Sequence, residues 1–72
     1  MTHPLTSYRA KVGASQTELA ARVGTAASYI SQIETGFRRP SIEMAKRIAA
    51  ATGLPISDLR PDLREIFEAV QS

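Results

Sequence analysis

Hydrophobic residues recur along this chain with the three- and four-residue spacing of helices, not the alternation of strands. Leu19 and Val23 lie one helical turn apart, and Met44, Ile48 and Ala51 span two turns. A further stripe near the C-terminal end follows the pattern i, i+3, i+4, i+7 and consists of Leu63, Ile66, Phe67 and Val70. Sustained apolar and polar alternation is absent, so the pattern predicts an all-α protein of five or six helices.

Glycine and proline indicate where these helices end and begin. Glycines follow the apolar stripes and prolines stand near the starts of segments, which is the usual asymmetry of short helices. The predicted segments are residues 5–12, 15–23, 27–35, 41–52, 57–59 and 61–70. Ser15 and Glu18 have the spacing of a capping box, and Ser41 and Ser57 are predicted to cap the fourth helix and the short fifth segment.

Composition narrows the classes of function. The 72 residues suit one small domain, and the absence of cysteine excludes disulfides and thiolate sites and fits a reducing cytoplasm. The single histidine, His3, is expected in a mobile start, so we predict no metal, no cofactor and no catalytic site. The serines and threonines lack a histidine base, which argues against an enzyme. No apolar run is long enough to cross a membrane, and the start does not resemble a signal peptide.

The net charge of +2 divides unevenly along the chain. Residues 1–56 carry seven basic and three acidic side chains, or 7 − 3 = +4, and residues 57–72 carry two and four, or 2 − 4 = −2. A basic body with an acidic tail suits a polyanionic partner for the body and a different role for the tail.

Residues 16–35 have the pattern of two short helices joined by a glycine turn. Ala20 lies where the helices would cross, and Gly24 can adopt the positive φ that the turn needs. Four apolar residues are predicted to point inward from the two helices: Leu19, Val23, Ile30 and Ile33. Such a unit presents its second helix to the major groove of DNA.

These residues resemble the Cro/C1-type (XRE) helix-turn-helix family. The resemblance is carried by Ser15-Gln16-Thr17-Glu18-Leu19-Ala20, Gly24, Ser28-Tyr29-Ile30-Ser31-Gln32-Ile33-Glu34-Thr35-Gly36 and Arg39-Pro40-Ser41. It continues through Ala45-Lys46-Arg47-Ile48-Ala49 and Ala51-Thr52-Gly53-Leu54, and it covers roughly residues 5–59. It implies a compact lambda-repressor-like domain over residues 1–59, with the helix-turn-helix as second and third helices and double-stranded DNA as partner.

The family resemblance also implies roles for particular residues. Base readout falls to Ala27, Ser28, Tyr29 and Gln32, and Gln32 is the strongest reader because a glutamine amide can pair bidentately with adenine. Phosphate contacts fall to Gln16, Thr25, Phe37, Arg38 and Arg39. Ala26 replaces the serine or threonine that often caps the third helix in relatives, so Thr25 is expected to supply the cap. Since the reading face has only one long polar side chain, DNA shape is expected to contribute to specificity.

Arg9 and Glu34 match a pair that forms a largely buried salt bridge in relatives; the alternative is solvated surface charge. Residues 60–72 are predicted to form a C-terminal helical tail beyond the family motif. Leu59-Arg60-Pro61-Asp62 resembles the tail of small prophage Cro-like regulators of the YdaS type. The tail stripe of Leu63, Ile66, Phe67 and Val70 either packs on its own monomer or forms a homodimer contact.

Three functions remain open from the sequence. The first is a repressor that occupies a palindromic operator as a dimer. The second is an antitoxin or adaptor whose main partner is a toxin or another protein, with DNA binding used for autoregulation. The third is a helical interaction module that never binds DNA. The domain alone does not separate them, because one fold serves several functions.

Overall fold

The computed structural model describes residues 2–62, which form five helices and no strand. They are α1 (Pro4–Val12), α2 (Gln16–Val23), α3 (Ala27–Glu34), α4 (Ile42–Thr52) and α5 (Ile56–Leu59). The all-α prediction is confirmed, and the first four predicted boundaries agree with the structure to within a residue or so. No helix within the described residues is long and apolar enough to span a bilayer.

Side-chain caps explain where two of these helices begin. Ser15 accepts from the Glu18 amide at 3.0 Å, and the Glu18 carboxylate accepts from the Ser15 amide at 3.1 Å, so the predicted capping box is present. Ser41 caps α4 by accepting from the Met44 amide at 3.2 Å. Both caps satisfy amides that have no partner inside the first turn of a helix.

Two predictions about helix starts are wrong. Ser57 lies inside α5, because the helix begins at Ile56 with Pro55 at its N-cap and without a side-chain cap. His3, expected in a mobile start, is the N-cap of α1, and its Nδ1 accepts from the Leu5 amide at 3.0 Å. Proline at the first position of α1 leaves one amide fewer to satisfy, and His3 supplies an acceptor for the next.

The chain divides into two compact units after Arg39, and each is described separately. In the first unit α3 packs against both α2 and α1. The buried side chains of this unit are Leu5, Ala14, Leu19, Ala20, Val23, Ile30 and Ile33. They come from α1, α2 and α3 and from the loop between α1 and α2. Their packing therefore fixes the orientation of α2 and α3 relative to each other.

In the second unit α4 packs against α5, and the buried apolar residues are Ala45, Ile48 and Leu59. Arg60 follows α5 and donates to the buried Pro40 carbonyl at 2.9 Å. Residues 61 and 62 are helical, and the rest of the predicted last helix, with its apolar stripe, lies outside the described residues. The predicted domain boundary between residues 59 and 60 stays a prediction.

Candidate nucleic-acid interface

In the turn between α2 and α3, two backbone amides donate to the same carbonyl. The amides of Gly24 and Thr25 both donate to the Ala20 carbonyl, at 2.8 and 2.9 Å. Gly24 has φ +86°, a left-handed conformation that residues with a Cβ rarely adopt. The chain therefore leaves α2 and changes direction within three residues before α3 begins at Ala27.

The inner sides of α2 and α3 form the closed part of the motif. Leu19 and Ile30 are fully buried, Ile33 is 1% exposed and Val23 is 4% exposed. Ala20, which the sequence predicts to lie where the helices cross, is 2% exposed. The four apolar residues predicted to point inward are confirmed as buried. Burial on both helices ties their mutual orientation to the hydrophobic core.

The start of α3 differs from the starts of α1, α2 and α4. Its N-cap residue is Ala26, and no side chain caps the helix. The expectation that Thr25 supplies this cap is wrong, because the cap position is occupied by alanine and Thr25 is engaged through its backbone amide in the turn. The first amides of α3 are left without a side-chain acceptor.

The outward side of α3 carries three of the residues predicted to read bases. Ser28 and Gln32 are one turn apart and Tyr29 lies three residues before Gln32, so the three share one face. Ala27 stands to one side of this face in the first turn. Ser28 is exposed and the other three are partly exposed. The side chains of Ser28 and Gln32 form no hydrogen bond with any described residue, which leaves their polar groups available to a ligand.

The loop after α3 carries the aromatic and basic side chains predicted at the DNA backbone. Gly36 has φ +81°, which turns the chain, and the Arg38 amide then donates to the Gln32 carbonyl at 3.1 Å. Phe37 is 81% exposed, and Arg38 and Arg39 are exposed. Two cations and an uncovered aromatic ring therefore follow directly on the outward face of α3. An arrangement of this kind suits an anionic polymer with apolar sugars.

Glu34 is the last residue of α3, and its side-chain carboxylate accepts hydrogen bonds from four donor atoms. Arg9 donates to both Glu34 oxygens at 2.8 Å, the Thr6 hydroxyl donates at 2.6 Å, and the Gln16 amide donates at 3.4 Å. The Glu34 side chain is 5% exposed. The pair that the family resemblance implies is thus present as a bidentate, nearly buried salt bridge between α1 and α3.

These contacts decide the ionisation of Glu34. Burial acts to raise the pKa of Glu34, but the hydrogen bonds from Arg9, Thr6 and Gln16 and the charge of Arg9 lower that pKa below its usual value. The carboxylate is therefore charged at neutral pH, and Arg9 balances that charge inside the fold.

Two partners of Glu34 were not predicted from the sequence. Thr6 is an ordinary polar residue of α1, and Gln16 was assigned only to a DNA phosphate. The spacing between Thr6 and Glu34 carries no local pattern, so no signal in a single sequence reveals the contact. Within the described residues no group of three or more carboxylates and histidines is placed to hold a metal ion.

The comparison with models of protein families agrees with this geometry. A family model described as helix-turn-helix matches residues 5–59 of the 72, well over half of the chain. The chain belongs to this family, the Cro/C1-type helix-turn-helix proteins with a lambda-repressor-like fold, and it is a DNA-binding transcriptional regulator. Comparison with curated proteins gave no match, and comparison with solved structures gave none.

Proposed function

We propose that this protein is a transcriptional repressor that binds a palindromic operator as a homodimer and places α3 in the major groove. The observation that supports this most directly is the division of α3 into two sides. Ile30 and Ile33 are buried, whereas Ser28 and Gln32 project polar groups that no described residue engages. A helix held firmly on one side and chemically open on the other is what direct readout requires.

The base contacts fall to a short set of side chains. Gln32 pairs with the N6 and N7 atoms of adenine through its amide, and it is the main source of direct specificity. Ser28 donates or accepts and so discriminates poorly, and Ala27 contacts a thymine methyl group. Because so few long polar groups face the bases, the deformability of the operator supplies part of the specificity.

The phosphate contacts come from both ends of the motif. Gln16 stands at the first position of α2, where the helix dipole also favours an anion. Its hydrogen bond to Glu34 is long at 3.4 Å, so the amide can exchange this partner for a phosphate oxygen at small cost. Thr25, in the turn, and Phe37, Arg38 and Arg39, in the loop after α3, contact the backbone of the DNA.

Dimerisation follows from the small size of the recognition surface. One helix-turn-helix makes few contacts, and two related by a two-fold axis span half-sites about 34–36 Å apart. The tail residues Leu63, Ile66, Phe67 and Val70, outside the described residues, are the proposed contact between subunits. Acidic residues in the same tail keep it away from the phosphates.

Selection of bound duplexes from a random pool, followed by mass measurement of the complex, tests this proposal. The expected result is an inverted repeat with half-sites one helical turn apart and two chains on each duplex. A pool that shows no enriched sequence, or complexes with one chain, would contradict it.

Two variants then assign the roles. Gln32→Ala should change the preferred base at one symmetric position when the selection is repeated. Arg38→Ala should keep the preferred sequence, weaken binding to every duplex alike and reduce the slope of log K against log salt by about 0.9. Equal losses on all duplexes for both variants would show that the division between base and phosphate contacts is wrong.

A further inference from the structure

One side chain of the reading face is already engaged within the protein. The guanidinium carbon of Arg38 lies over the ring of Tyr29, 5.5 Å from its centroid. This distance is inside the roughly 6 Å range in which a cation is attracted by the face of an aromatic ring. Tyr29 is half-buried on α3 and Arg38 is exposed in the loop, so the contact joins the reading helix to the loop.

The backbone of Arg38 is fixed to the same helix. Its amide donates to the Gln32 carbonyl at 3.1 Å, and the left-handed Gly36 makes the required turn. Arg38 is therefore held at two points, its amide near the end of α3 and its guanidinium over Tyr29. A long side chain without the second restraint would sample many rotamers, and binding would have to select one of them.

The chemistry of the contact leaves Arg38 able to bind an anion. The attraction to the ring does not use the N–H donors of Arg38 in hydrogen bonds, and its guanidinium donates to no described residue. Those donors match two oxygens of a phosphate group. The ring of Tyr29, in contrast, has one face covered by the cation and is less available to a base.

We propose that Tyr29 is a positioning residue that holds Arg38 ready for a DNA phosphate, and that it is not a base reader. The role rests on the proposed function, because it needs DNA as the ligand. It replaces the assignment of Tyr29 to base readout and reduces the direct readers to Ala27, Ser28 and Gln32.

A double-mutant cycle on DNA binding tests the role. Tyr29→Leu removes the ring, Arg38→Ala removes the cation, and Tyr29→Phe keeps the ring as the conservative control. Tyr29→Leu should weaken binding about two- to fivefold on every sequence, since an exposed cation–π contact is worth ~0.5–1 kcal/mol. It should also reduce the salt slope toward that of Arg38→Ala, and the double variant should bind no more weakly than Arg38→Ala. Tyr29→Phe should bind like the unaltered protein.

Arg22→Ala is the matched control. This variant removes one positive charge from α2 of the same unit. The DNA-binding free energy that it loses should add fully to the binding free energy lost in Tyr29→Leu. Thermal melting of each variant separates loss of binding from loss of folding. In the free protein, ring-current shifts of the Arg38 side-chain protons should be present, should persist in Tyr29→Phe and should vanish in Tyr29→Leu.

The outcomes separate this role from the proposed function. If the unaltered protein binds no duplex, both fail. Suppose instead that the unaltered protein binds DNA and that Arg38→Ala weakens binding. If the double variant then binds more weakly than Arg38→Ala by the full loss seen in Tyr29→Leu alone, only the positioning role is overturned. A changed base preference in Tyr29→Leu would restore Tyr29 to the readers and also overturn it.

Discussion

Among the described residues, one arginine–carboxylate pair in each of the two units can be compared, and the two have almost equal geometry. Arg9 and Glu34 are joined by two hydrogen bonds of 2.8 Å, and Arg60 and Asp62 by bonds of 2.9 and 2.7 Å. The carboxylate side chains differ in exposure, 5% for Glu34 and 33% for Asp62. They differ also in separation along the chain, 25 residues against two.

The comparison shows that bond length does not measure what an ion pair contributes. Arg9 and Glu34 join α1 to α3, and a buried carboxylate that loses its partner retains its desolvation cost. Arg60 and Asp62 are near neighbours in sequence, and the Asp62 carboxylate, 33% exposed, can be solvated by water if Arg60 is lost. The Arg9–Glu34 pair therefore stabilises the packing of α1 against α3. The Arg60–Asp62 pair mainly stabilises the local conformation of residues 60–62.

The largest effect is expected from Glu34→Ala, which removes the acceptor shared by Arg9, Thr6 and Gln16 and leaves the Arg9 guanidinium, 19% exposed, without its counter-charge. Removal of one partner of a buried pair costs about 3–5 kcal/mol, and a core of this size supplies only about 3–5 kcal/mol in total. Circular dichroism should show a largely unfolded chain at 25 °C. Glu43→Ala, at an exposed glutamate of α4, is the matched control and should still melt cooperatively. A folded Glu34→Ala variant with an unchanged melting temperature would place the two pairs in the same class.

A smaller loss is expected when one neutral donor to Glu34 is removed. Thr6→Val keeps the shape of the side chain but deletes the hydroxyl that donates at 2.6 Å. A hydrogen bond to a charged group is worth about 1.5–3 kcal/mol, and urea unfolding should show a loss in this range. Thr17→Val, at an exposed threonine of α2, should change stability by much less. Equal losses in the two variants would mean that the hydroxyl contact adds nothing to the Arg9–Glu34 pair.

Acidification should weaken the first unit in two steps. Burial lowers the pKa of His3, although the charge of Glu34 opposes this shift. The neutral His3 side chain therefore contributes its full stabilisation above pH 6.5, and this contribution is lost as the pH falls through the lowered pKa. Protonation of Nδ1 also removes the acceptor for the Leu5 amide. The pKa of Glu34 is lowered likewise, so its contribution is complete above pH 4.5 and is lost at still lower pH.

Melting temperatures measured from pH 8 to pH 3 should therefore fall first below about 6.5 and then more steeply below about 4.5. His3→Asn keeps a capping side chain that does not titrate, and it should abolish the first step alone. A first step that persists in His3→Asn would assign it to another group.

The smallest effect is expected from Asp62→Ala. Arg60 keeps its hydrogen bond to the Pro40 carbonyl, and the carboxylate that is removed is itself 33% exposed, so the loss should lie near the range of about 0.2–1 kcal/mol of solvated pairs. For a domain of this length the melting temperature should fall by no more than about 4–8 °C. High salt should reduce the difference further. A loss as large as that of Thr6→Val would show that exposure does not separate the two pairs.

The parts of the fold that were predicted correctly depend on local patterns. The spacing of Leu19, Val23, Ile30 and Ile33 predicts a buried side, and Ser15 with Glu18 predicts a helix start, because neighbours in sequence determine both features. Ser57 and Thr25 were placed wrongly because a serine or threonine near a helix start is not always the cap. His3 was misjudged because histidine is not among the residues that most often cap a helix.

Contacts between side chains that lie far apart in the sequence could not be predicted from local patterns. The salt bridge of Arg9 and Glu34 was expected only from the family resemblance, and the contact of Thr6 with Glu34 from nothing in the sequence. The Tyr29–Arg38 contact depends on how the loop after Gly36 returns to α3. Such contacts are set by the packing of elements, which the spacing of hydrophobic residues does not specify.

The side chains of Ser28 and Gln32 take part in no hydrogen bond that the described fold needs, and Ala27 is small. Substitutions at these three positions, the proposed base readers, should therefore cost little stability, and on that proposal mutation alters DNA preference without first requiring a compensating change in the core. A protein organised in this way can acquire a new operator through single mutations.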